Sequence, residues 1–331
     1  MTDPLLDAVD LVKTFPGGVR AVDSVSLTVA RGETVGLVGE SGCGKSTTAK
    51  LLLRLLAPDS GTVRFDGADL AAARGRRLRE LRRRLQVVPQ NPGTSLNPRL
   101  TVRRSIEFNL RVHGFPRDGR RRLVSELMDR VGLAGRHADA FPHELSGGQL
   151  QRAAIARALA TGPDLVVCDE AVSALDKSVQ AHVLNLLAEL QRDLGVAYLF
   201  ISHDLSVVEH ISDRVVVMYL GRVVEEGDAS DIWGAPAHPY TRTLLSAAPG
   251  EGRQRIRLQG DPPNPAAPPP GCSFHTRCPD AFDRCGTERP TLLTVGRAHN
   301  AACWATATPT RTRTQPQTAA AAADRKAVTA P

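Results

Sequence analysis

Apolar and polar residues alternate along the first forty positions of the chain, and the pattern then becomes continuously apolar. The stretches DAVDLVKTF, AVDSVSLTVA and ETVGLVG predict strands within residues 5–38, with turns at Pro16-Gly17-Gly18 and Arg31-Gly32. KSTTAKLLLRLLA has helical periodicity and predicts a helix over residues 45–57 that ends before Pro58. GTVRFDGADL predicts a short hairpin, and LQVVPQ predicts another strand.

The pattern changes to helices between about residues 100 and 160, and strands then return. DLVVCDE and AYLFISHD predict buried strands on either side of a helix, and RVVVMYLGRVVEEG predicts a terminal hairpin. Alternating strands and helices at both ends favour a parallel α/β sheet, into which the middle region is inserted as a helical subdomain. We predict a domain over residues 1–235, with that subdomain at about 92–160.

Two later segments break the pattern. The proline-rich stretch GDPPNPAAPPPG at 260–271 predicts a linker or an extended wall segment. Residues 305–331 are of low complexity and are predicted to be disordered. The C-terminal part of the ordered chain is therefore predicted at 236–304.

Composition narrows the class of protein. The chain has 331 residues, 42% of them hydrophobic, which is enough for a large core. It contains no apolar run of membrane-spanning length, and its N-terminus lacks a signal-peptide pattern, so we expect a cytoplasmic protein.

The formal net charge is +7, and the arginines cluster at Arg74–Arg84 and Arg117–Arg122. Such runs occur at contacts with nucleic acid, anionic lipid or acidic partners, and also on solvated helix faces. Aromatic residues make up only 4% of the chain and do not interleave with the arginines, as base stacking would require. We therefore favour the solvated face and expect no nucleic-acid partner.

The segment GLVGESGCGKSTTAK carries a phosphate-binding motif. Its glycines and Lys45-Ser46 have the spacing GxxxxGK[ST], directly between a predicted strand and a predicted helix. In this pattern backbone N–H groups wrap the phosphates, the lysine neutralises β/γ charge and the hydroxyl ligates Mg²⁺.

Two acidic residues end the apolar strand LVVCDE. Asp169 is placed to hold hydrated Mg²⁺, and Glu170 is placed to activate an attacking water as a general base. Acidic residues at the end of a strand are a weak indication of a catalytic site by themselves. The phosphate loop in the same chain is what favours this interpretation.

A second glycine-containing loop, HELSGGQLQR, precedes the helical run LQRAAIARALA. Small residues before a helix expose N–H groups at its positive end, which favours an anion. The combination of this loop with the phosphate loop and Asp169-Glu170 resembles the nucleotide-binding subunits of ABC transporters, over nearly all of residues 5–304. That resemblance implies an α/β P-loop core with an antiparallel β region and a helical subdomain.

The resemblance implies a role for individual residues. In that family Gln90 senses Mg²⁺ and nucleotide and helps to ligate the metal, and His203 is a switch that contacts the γ-phosphate. Phe15 matches an aromatic that stacks on adenine, although an isolated phenylalanine is also a candidate core residue. The implied nucleotide-binding residues are Phe15, Gly39, Glu40, Ser41, Gly42, Cys43, Gly44, Lys45, Ser46 and Thr47. The implied contacts to the nucleotide or body of a second subunit are Ser146, Gly147, Gly148, Gln149 and Asp176.

Three local matches resemble the oligopeptide and dipeptide importer ATPases. They are NPGTSLNPRLTV at 91–102, AHPYTRTLLSAAP at 237–249 and GCSFHTRCPDAFDRC. The first has Asn91 where that subfamily usually has aspartate. The matches imply a small C-terminal extension of the oligopeptide-transporter type.

Four cysteines, Cys272, Cys278, Cys285 and Cys303, lie in this extension. Four thiolates suit a [4Fe–4S] cluster or tetrahedral zinc, but the spacing lacks short C-x₂-C pairs, and reduced, packed thiols are an equal alternative. His275 and His299 could replace a ligand. Because some members of the resembled subfamily carry a cluster here, the resemblance ranks [4Fe–4S] above zinc.

The resemblance implies an ATPase with ATP and Mg²⁺ that works as a head-to-tail dimer at the cytoplasmic face of the membrane. Its implied partners are a second ATP-binding subunit, two transmembrane permeases and an extracytoplasmic substrate-binding protein. Two alternatives stay open: a soluble ABC ATPase of translation or DNA repair, and a redox or metal-sensing module built on the same fold.

Overall fold

The computed structural model describes residues 3–247, 256 and 260–306. In chain order its strands are β1 Leu6–Thr14, β2 Arg20–Val29, β3 Thr34–Val38, β4 Ser60–Phe65, β5 Ala68–Asp69, β6 Leu85–Val88, β7 Leu165–Asp169, β8 Ala197–Ile201, β9 Arg214–Tyr219, β10 Arg222–Asp228, β11 Leu293–Gly296 and β12 His299–Ala301. Its α-helices are α1 Lys45–Leu52, α2 Gly75–Arg84, α3 Pro92–Ser95, α4 Val102–Val112, α5 Arg120–Arg130, α6 Gly147–Leu159, α7 Lys177–Leu194, α8 Leu205–Ile211, α9 Ala229–Gly234, α10 Pro239–Ala247 and α11 Asp283–Thr287. Short 3₁₀ turns lie at Gly135–Asp139, Pro142–Glu144 and His275–Arg277.

Eight strands form the main sheet, in the order β11-β12-β10-β9-β3-β8-β7-β6. The pairs from β9 to β6 are parallel, whereas β10, β12 and β11 pair antiparallel at the other end. The order places β3 and β7 on either side of β8, so the loops that follow β3 and β7 emerge at the same edge. The predicted α/β core is confirmed, and this edge positions the phosphate loop and Asp169-Glu170.

Side chains of the central strands alternate between two hydrophobic cores. Leu199 and Ile201 of β8 pack on the side of α1 and the smaller sheet, and Tyr198 and Phe200 pack on the opposite side against helices. Strands buried on both faces read as continuous apolar runs, which explains the patterns LVVCD and AYLFI. The smaller antiparallel sheet, in the order β2-β1-β4-β5, covers the first of these faces.

The helix α1 ends at Leu52 and is therefore shorter than the predicted 45–57. Arg54 adopts a left-handed conformation with φ +52°, and the N–H of Leu55 bonds the carbonyl of Lys50 at 2.8 Å. This bonding closes a helix end in the manner of a Schellman motif, although the position carries arginine rather than glycine. The guanidinium of Arg54 compensates by donating to the Ala73 carbonyl at 2.6 Å.

The hairpin β9–β10 is not the terminal element that the pattern predicted. β12 pairs with β10 through Glu225↔Ala301 and Glu226↔Asn300, so the C-terminal extension continues the main sheet. The boundary at 235/236 stays a prediction. Most of the tail predicted to be disordered, from residue 307 onward, lies outside the described residues.

The arginine clusters fall on helix surfaces. Helix α2 buries Leu81 and exposes most of its arginines to solvent. Arg84 donates to Asp164 at 2.5 Å, and Arg120 at the start of α5 donates to the Phe115 carbonyl at 2.9 Å. None of the helices in the described part of the chain combines the length and apolar character that a membrane span requires.

Candidate functional site

The phosphate loop closes around a buried lysine. The side chain of Lys45 lies at the first position of α1, and its Nζ donates to the carbonyls of Gly39 at 2.8 Å and Glu40 at 2.9 Å. Ser41 and Gly42 at the loop tip are exposed, while Ser46 and Thr47 are half-buried. The loop therefore presents its backbone and one ammonium group to a ligand at the helix N-terminus, as phosphate binding requires.

Two loop glycines are required by close contacts. Gly39 has φ +151°, and a Cβ there would lie 2.2 Å from the Met218 carbonyl oxygen. Gly44 has φ +111°, and a Cβ there would lie 2.1 Å from the Ala21 carbonyl oxygen. Both contacts are with backbone, which cannot move aside, so any side chain at either position would distort the loop.

Cys43 is buried inside this loop rather than presented to a ligand. Its Sγ lies 3.8 Å from the Nζ of Lys45. Burial raises the pKa of the thiol although the lysine opposes the shift. The residue therefore acts as a small packed side chain under the loop.

Ser46 and Asp169 converge where Mg²⁺ would be held. The hydroxyl of Ser46 donates to Oδ1 of Asp169 at 3.0 Å. Burial raises the pKa of Asp169, and the charge of Glu170 adds to the rise, although the Ser46 hydrogen bond opposes it. A half-buried carboxylate beside a hydroxyl is a hard oxygen pair that suits Mg²⁺, and the cation's charge would offset the cost of ionising Asp169.

Glu170 lies between two polar side chains. The amide of Gln90 donates to its Oε2 at 2.6 Å, and Nδ1 of His203 lies 3.2 Å from its Oε1. Three residues that the resemblance implied are thus joined into one hydrogen-bonded group, although 80 residues separate Gln90 from Glu170. The group orients the carboxylate at the edge of the sheet beside the phosphate loop.

The backbone of Glu170 is held in the left-handed region, with φ +48°. This is unusual for a residue other than glycine. Its N–H donates to the Ile201 carbonyl at 2.9 Å, and its carbonyl accepts from the N–H and hydroxyl of Ser173. These bonds hold a sharp turn directly after β7, which turns the glutamate side chain toward Gln90 and His203.

Phe15 is exposed rather than packed in a core. It follows β1, and 38% of its surface is accessible. Its N–H bonds the Val19 carbonyl at 2.9 Å, which closes the turn at Pro16-Gly17-Gly18. The alternative of a core phenylalanine is therefore wrong, and the ring is available for stacking.

The loop Ser146–Gln149 caps its own helix. The hydroxyl of Ser146 accepts from the Gln149 N–H at 3.4 Å, and Oε1 of Gln149 accepts from the Ser146 N–H at 2.9 Å, which is a capping box. Ser146 and Gly147 are exposed, and Gly148 is half-buried. Among the described residues, no hydrogen bond joins this loop to the phosphate loop of the same chain.

The start of α6 lies against the start of α7. A Cβ on Gly148 would lie 2.7 Å from Cγ1 of Val179, so this glycine is needed for the close approach. Asp176 is the exposed N-cap of α7 and accepts from the Val179 N–H at 2.9 Å. Two residues implied to meet a second subunit, Gly148 and Asp176, therefore lie on one surface.

The four C-terminal cysteines line a single cavity, together with His238 and His275. All are free thiols. Burial raises the pKa of Cys272 and Cys303, and raises that of Cys278 to about 11, so these thiols stay protonated at neutral pH.

The donor set of this cavity suits a cluster, but its packing does not. The space has room for about one water molecule. In the described ranges, no three His, Cys, Asp or Glu side chains are grouped to hold a metal ion. A four-iron cluster would require these segments to move apart.

His299 is not available as the alternative ligand that the sequence suggested. It lies outside the cavity, and its Nε2 is 2.7 Å from Oε1 of Glu225, which is fully buried. Glu225 also accepts the N–H groups of Ala237 and His238. The histidine therefore links β12 to the neighbouring strand β10 through the buried Glu225.

Sequence reasoning missed two residues beside the phosphate loop. The hydroxyl of Tyr240 accepts from the Glu40 N–H at 2.8 Å, and Arg277 donates to both carboxylate oxygens of Glu40 at 3.0 and 3.2 Å. Tyr240 lies in AHPYTRTLL and Arg277 lies in GCSFHTRC, two stretches whose sequence indicates only the subfamily resemblance. No spacing rule connects residues 237 positions apart, and only the fold brings them together.

Comparison with known proteins decides the family. A family model described as "ABC transporter" matches residues 22–173, and one described as "Oligopeptide/dipeptide transporter, C-terminal region" matches residues 224–285. A probable peptide ABC transporter ATP-binding protein of Sinorhizobium fredii is 48% identical over 322 residues, covering 93% of this chain and 91% of the relative. This chain belongs to the ABC transporter family.

Other similarities agree with this assignment as an ABC ATPase. The oligopeptide transport ATP-binding protein AppF of Bacillus subtilis is 46% identical over 319 residues, covering 91% of this chain and 97% of the relative. The solved structure of cbiO1 from Clostridium perfringens, part of the ABC transporter complex cbiONQ, has a TM-score of 0.65 at 29% identity and covers 71% of this chain and 92% of its own.

A dimeric ATP-binding cassette, MJ0796, in a post-hydrolysis state with ADP and Pi bound, has a TM-score of 0.62 at 30% identity. The match covers 68% of this chain and 98% of that one. The solved cassettes therefore cover much less of this chain than the peptide-transport relatives do, and the difference corresponds to the additional length that the sequence relatives share.

Proposed function

We propose that this ABC ATPase hydrolyses ATP to power the import of di- or oligopeptides, and that it does so at the cytoplasmic face of a membrane. The observation that carries the proposal is the group Gln90–Glu170–His203 placed beside Lys45 and the Ser46–Asp169 pair. The peptide substrate class is supported by the printed names of the relatives and by the match of residues 224–285 to the oligopeptide/dipeptide transporter C-terminal region.

In the proposed mechanism, the phosphate loop holds the triphosphate and Phe15 stacks on the adenine. Lys45 exchanges its loop carbonyls for β- and γ-phosphate oxygens. Ser46, Asp169 and Gln90 would hold Mg²⁺, which would supply positive charge to offset the negative charge of the phosphates.

The chemical step in this proposal begins at Glu170. Its carboxylate accepts a proton from water while the water oxygen forms a bond to the γ-phosphorus. The bond from that phosphorus to the β–γ bridging oxygen breaks, and ADP leaves with the electron pair. Gln90 orients the glutamate, and His203 donates to the γ-phosphate oxygens as negative charge is redistributed.

In this proposal the loop Ser146–Gln149 of one subunit completes the nucleotide site of the other subunit in a dimer. Ser146, Gly147 and Gly148 lie at an exposed helix N-terminus, which favours the γ-phosphate of a nucleotide on a second ATP-binding subunit. Gln149 fixes that loop through the capping box, and Asp176 lies on the same surface. ATP binding would then close two subunits head to tail, and hydrolysis would reopen them to drive two permease subunits that receive peptide from an extracytoplasmic binding protein.

The test of this assignment is purification of the tagged full chain from membranes of its own organism. We expect two multispanning membrane proteins and a peptide-binding protein to accompany it, and ATP hydrolysis to rise when peptide-loaded binding protein is added. Recovery with ribosomes or DNA would instead favour the translation or repair alternative, which the transport names of the long relatives do not support.

The [4Fe–4S] cluster that the resemblance implied on Cys272, Cys278, Cys285 and Cys303 does not fit their packed cavity, and iron analysis tests it separately. If the cluster formed, protein purified without oxygen would contain about four iron atoms per chain and absorb visible light. Four titratable thiols with no iron or zinc would contradict the cluster. Cys272→Ser separates the sensing alternative, because a sensor variant would lose regulation while keeping transport.

A further inference from the structure

Glu40 of the phosphate loop is fixed at both its backbone and its side chain by the C-terminal extension. Tyr240 in α10 accepts the Glu40 N–H, and Arg277 forms a two-pronged ion pair with the Glu40 carboxylate. The carbonyl of the same residue accepts from Lys45. That carbonyl also accepts the Cys43 N–H at 3.2 Å, so every polar group of Glu40 has a partner, and two of the four partners lie outside the loop.

These partners are themselves held firmly. Tyr240 is fully buried, and its ring packs on Tyr219 and Phe274 with centroids 4.6 and 5.3 Å away. Only 7% of the Arg277 side chain is accessible, and its Nη1 also lies 3.3 Å from the Tyr219 hydroxyl. A buried arginine in bidentate contact with a carboxylate is a rigid, permanently charged partner.

The charge of Glu40 matters because of its position. It is one residue after Gly39 in a loop built to receive a polyanion, so an unpaired carboxylate there would repel the phosphates. Arg277 removes that repulsion without competing for the ligand, since it approaches from the extension. Burial alone would lower the pKa of Arg277, but its bonds to Glu40 and Tyr219 raise it, so the cation persists at any working pH.

We propose that Arg277 and Tyr240 are positioning residues of the nucleotide site, through which the C-terminal extension sets the affinity of the phosphate loop for nucleoside di- and triphosphates. Arg277 neutralises the charge of Glu40. Tyr240 fixes the Glu40 N–H, and the backbone carbonyls of Gly39 and Glu40 on either side of it accept from Lys45. The inference rests on the proposed ATPase function and adds a role for the extension that does not depend on a metal or on membrane partners.

The extension also connects this contact to its cysteine cavity. Arg277 ends the short 3₁₀ turn His275–Arg277 and directly precedes Cys278, which lines the cavity. Any change that shifts this turn displaces the guanidinium from Glu40. The affinity for nucleotide therefore reports on the conformation of the extension.

The experiment is a double-mutant cycle on the full chain with Arg277→Gln, Glu40→Gln and both together. MgADP affinity is measured by calorimetry, and KM and kcat are measured for MgATP. We expect Arg277→Gln to weaken MgADP binding and raise KM by roughly threefold to tenfold, with kcat changed less than about twofold, because it exposes one carboxylate charge near the phosphates. In the Glu40→Gln background, Arg277→Gln should have no further effect on either quantity.

Three companion variants separate positioning from general packing. Arg277→Lys keeps the charge and should recover most of the affinity. Tyr240→Phe keeps the packed ring and removes only the acceptor, so a smaller loss of affinity with an unchanged melting temperature is expected. Arg242→Gln breaks a neighbouring ion pair with Asp280 that does not involve Glu40 and should change nothing, as should Tyr198→Phe, whose buried hydroxyl makes no hydrogen bond within the described residues.

The inference is overturned if Arg277→Gln weakens binding equally with and without Glu40, or if kcat falls while KM and MgADP affinity stay constant. An equal loss of affinity in Arg242→Gln would also overturn it, since any disturbance of the extension would then suffice. A wild-type protein that bound neither nucleotide would instead remove the proposed function, and this inference with it. The effect of Arg277→Gln should shrink as salt rises to roughly 0.5 M, because screening weakens the repulsion.

Discussion

The chain contains two glycine-rich loops at helix N-termini, and they are built in opposite ways. The loop before α1 encloses the buried Lys45 and is held from outside by Tyr240 and Arg277. The loop before α6 is exposed and caps itself through Ser146 and Gln149. The first loop is held in place by contacts within its own chain, whereas we propose that the second loop contributes to the nucleotide site of another subunit.

The largest effect should come from removing Glu170, the proposed general base of the first site. Glu170→Gln keeps the hydrogen-bonding shape between Gln90 and His203 but cannot accept a proton, so we expect ATP turnover to fall by roughly 10²–10⁴-fold with ATP affinity retained. A phosphate-release assay and calorimetry with MgATP measure the two quantities. Turnover at the wild-type rate would show that Glu170 is not the base.

The second loop should control assembly rather than binding. With MgATP, the Glu170→Gln protein should accumulate as a dimer in size-exclusion chromatography. Adding Ser146→Arg places a long cation at the exposed N-cap of α6, so the dimer should disappear while each chain still binds ATP within about threefold of normal affinity.

Ser60→Arg, on exposed strand β4, is the matched control and should leave the dimer intact. If Ser146→Arg abolished ATP binding by the isolated chain, the division of labour between the two loops would be wrong.

A smaller effect is expected at Phe15, in the turn that follows β1. Phe15→Ala removes an exposed ring that can stack on a base, and KM for ATP should rise roughly fivefold to a hundredfold, as such stacking is worth about 1–3 kcal/mol. Phe15→Tyr should preserve KM. Phe108→Ala removes another exposed ring, from α4, and serves as the control. Equal KM values for Phe15→Ala and wild type would argue against adenine stacking.

The smallest effect is a loss of folding stability at low pH. It comes from His238, which holds the Tyr240 that contacts the first loop. Burial lowers the pKa of His238 to about 3, with a further contribution from Arg242, and its Nδ1 accepts the Tyr240 N–H at 3.0 Å. His238 therefore takes up a proton near pH 6.5 in the unfolded chain but stays neutral at that pH in the folded chain. The stability contributed by neutral His238 is complete above pH 6.5 and is lost as pH falls from 6.5 toward 3.

Urea denaturation between pH 7 and 5 should show a loss of up to about 1.4 kcal/mol per pH unit from this one proton. His238→Asn should reduce the slope. An unchanged slope in the variant would assign the acid sensitivity to other groups.

Sequence reasoning succeeded where function depends on local pattern. Gly39–Ser46 lies between a buried strand and a helix, and Asp169-Glu170 ends another buried strand, so two parallel strands on either side of β8 bring them to one edge of the sheet. The pattern also predicted the parallel sheet, whereas the antiparallel β region was implied only by the family resemblance.

Sequence reasoning failed where tertiary contacts decide. The end of α1 depends on a left-handed Arg54 that bonds Ala73, which no propensity predicts. Phe15 could be a core or a surface residue until its turn was placed. The contact between Arg277 and Glu40 depends on how β12 and α10 dock, and the cavity at the cysteines depends on packing that spacing does not encode.

The pairing of Arg277 with Glu40 also has a consequence for biosynthesis. At translation rates of 5–20 residues per second, the 237 residues between them take on the order of tens of seconds to emerge. Late in that interval the strands from β1 to β10 have been synthesised, yet the phosphate loop still lacks its neutralising partner and β10 still lacks β12. If the proposed role of Arg277 holds, a nascent chain would therefore bind nucleotide more weakly until Arg277 has emerged and reached Glu40.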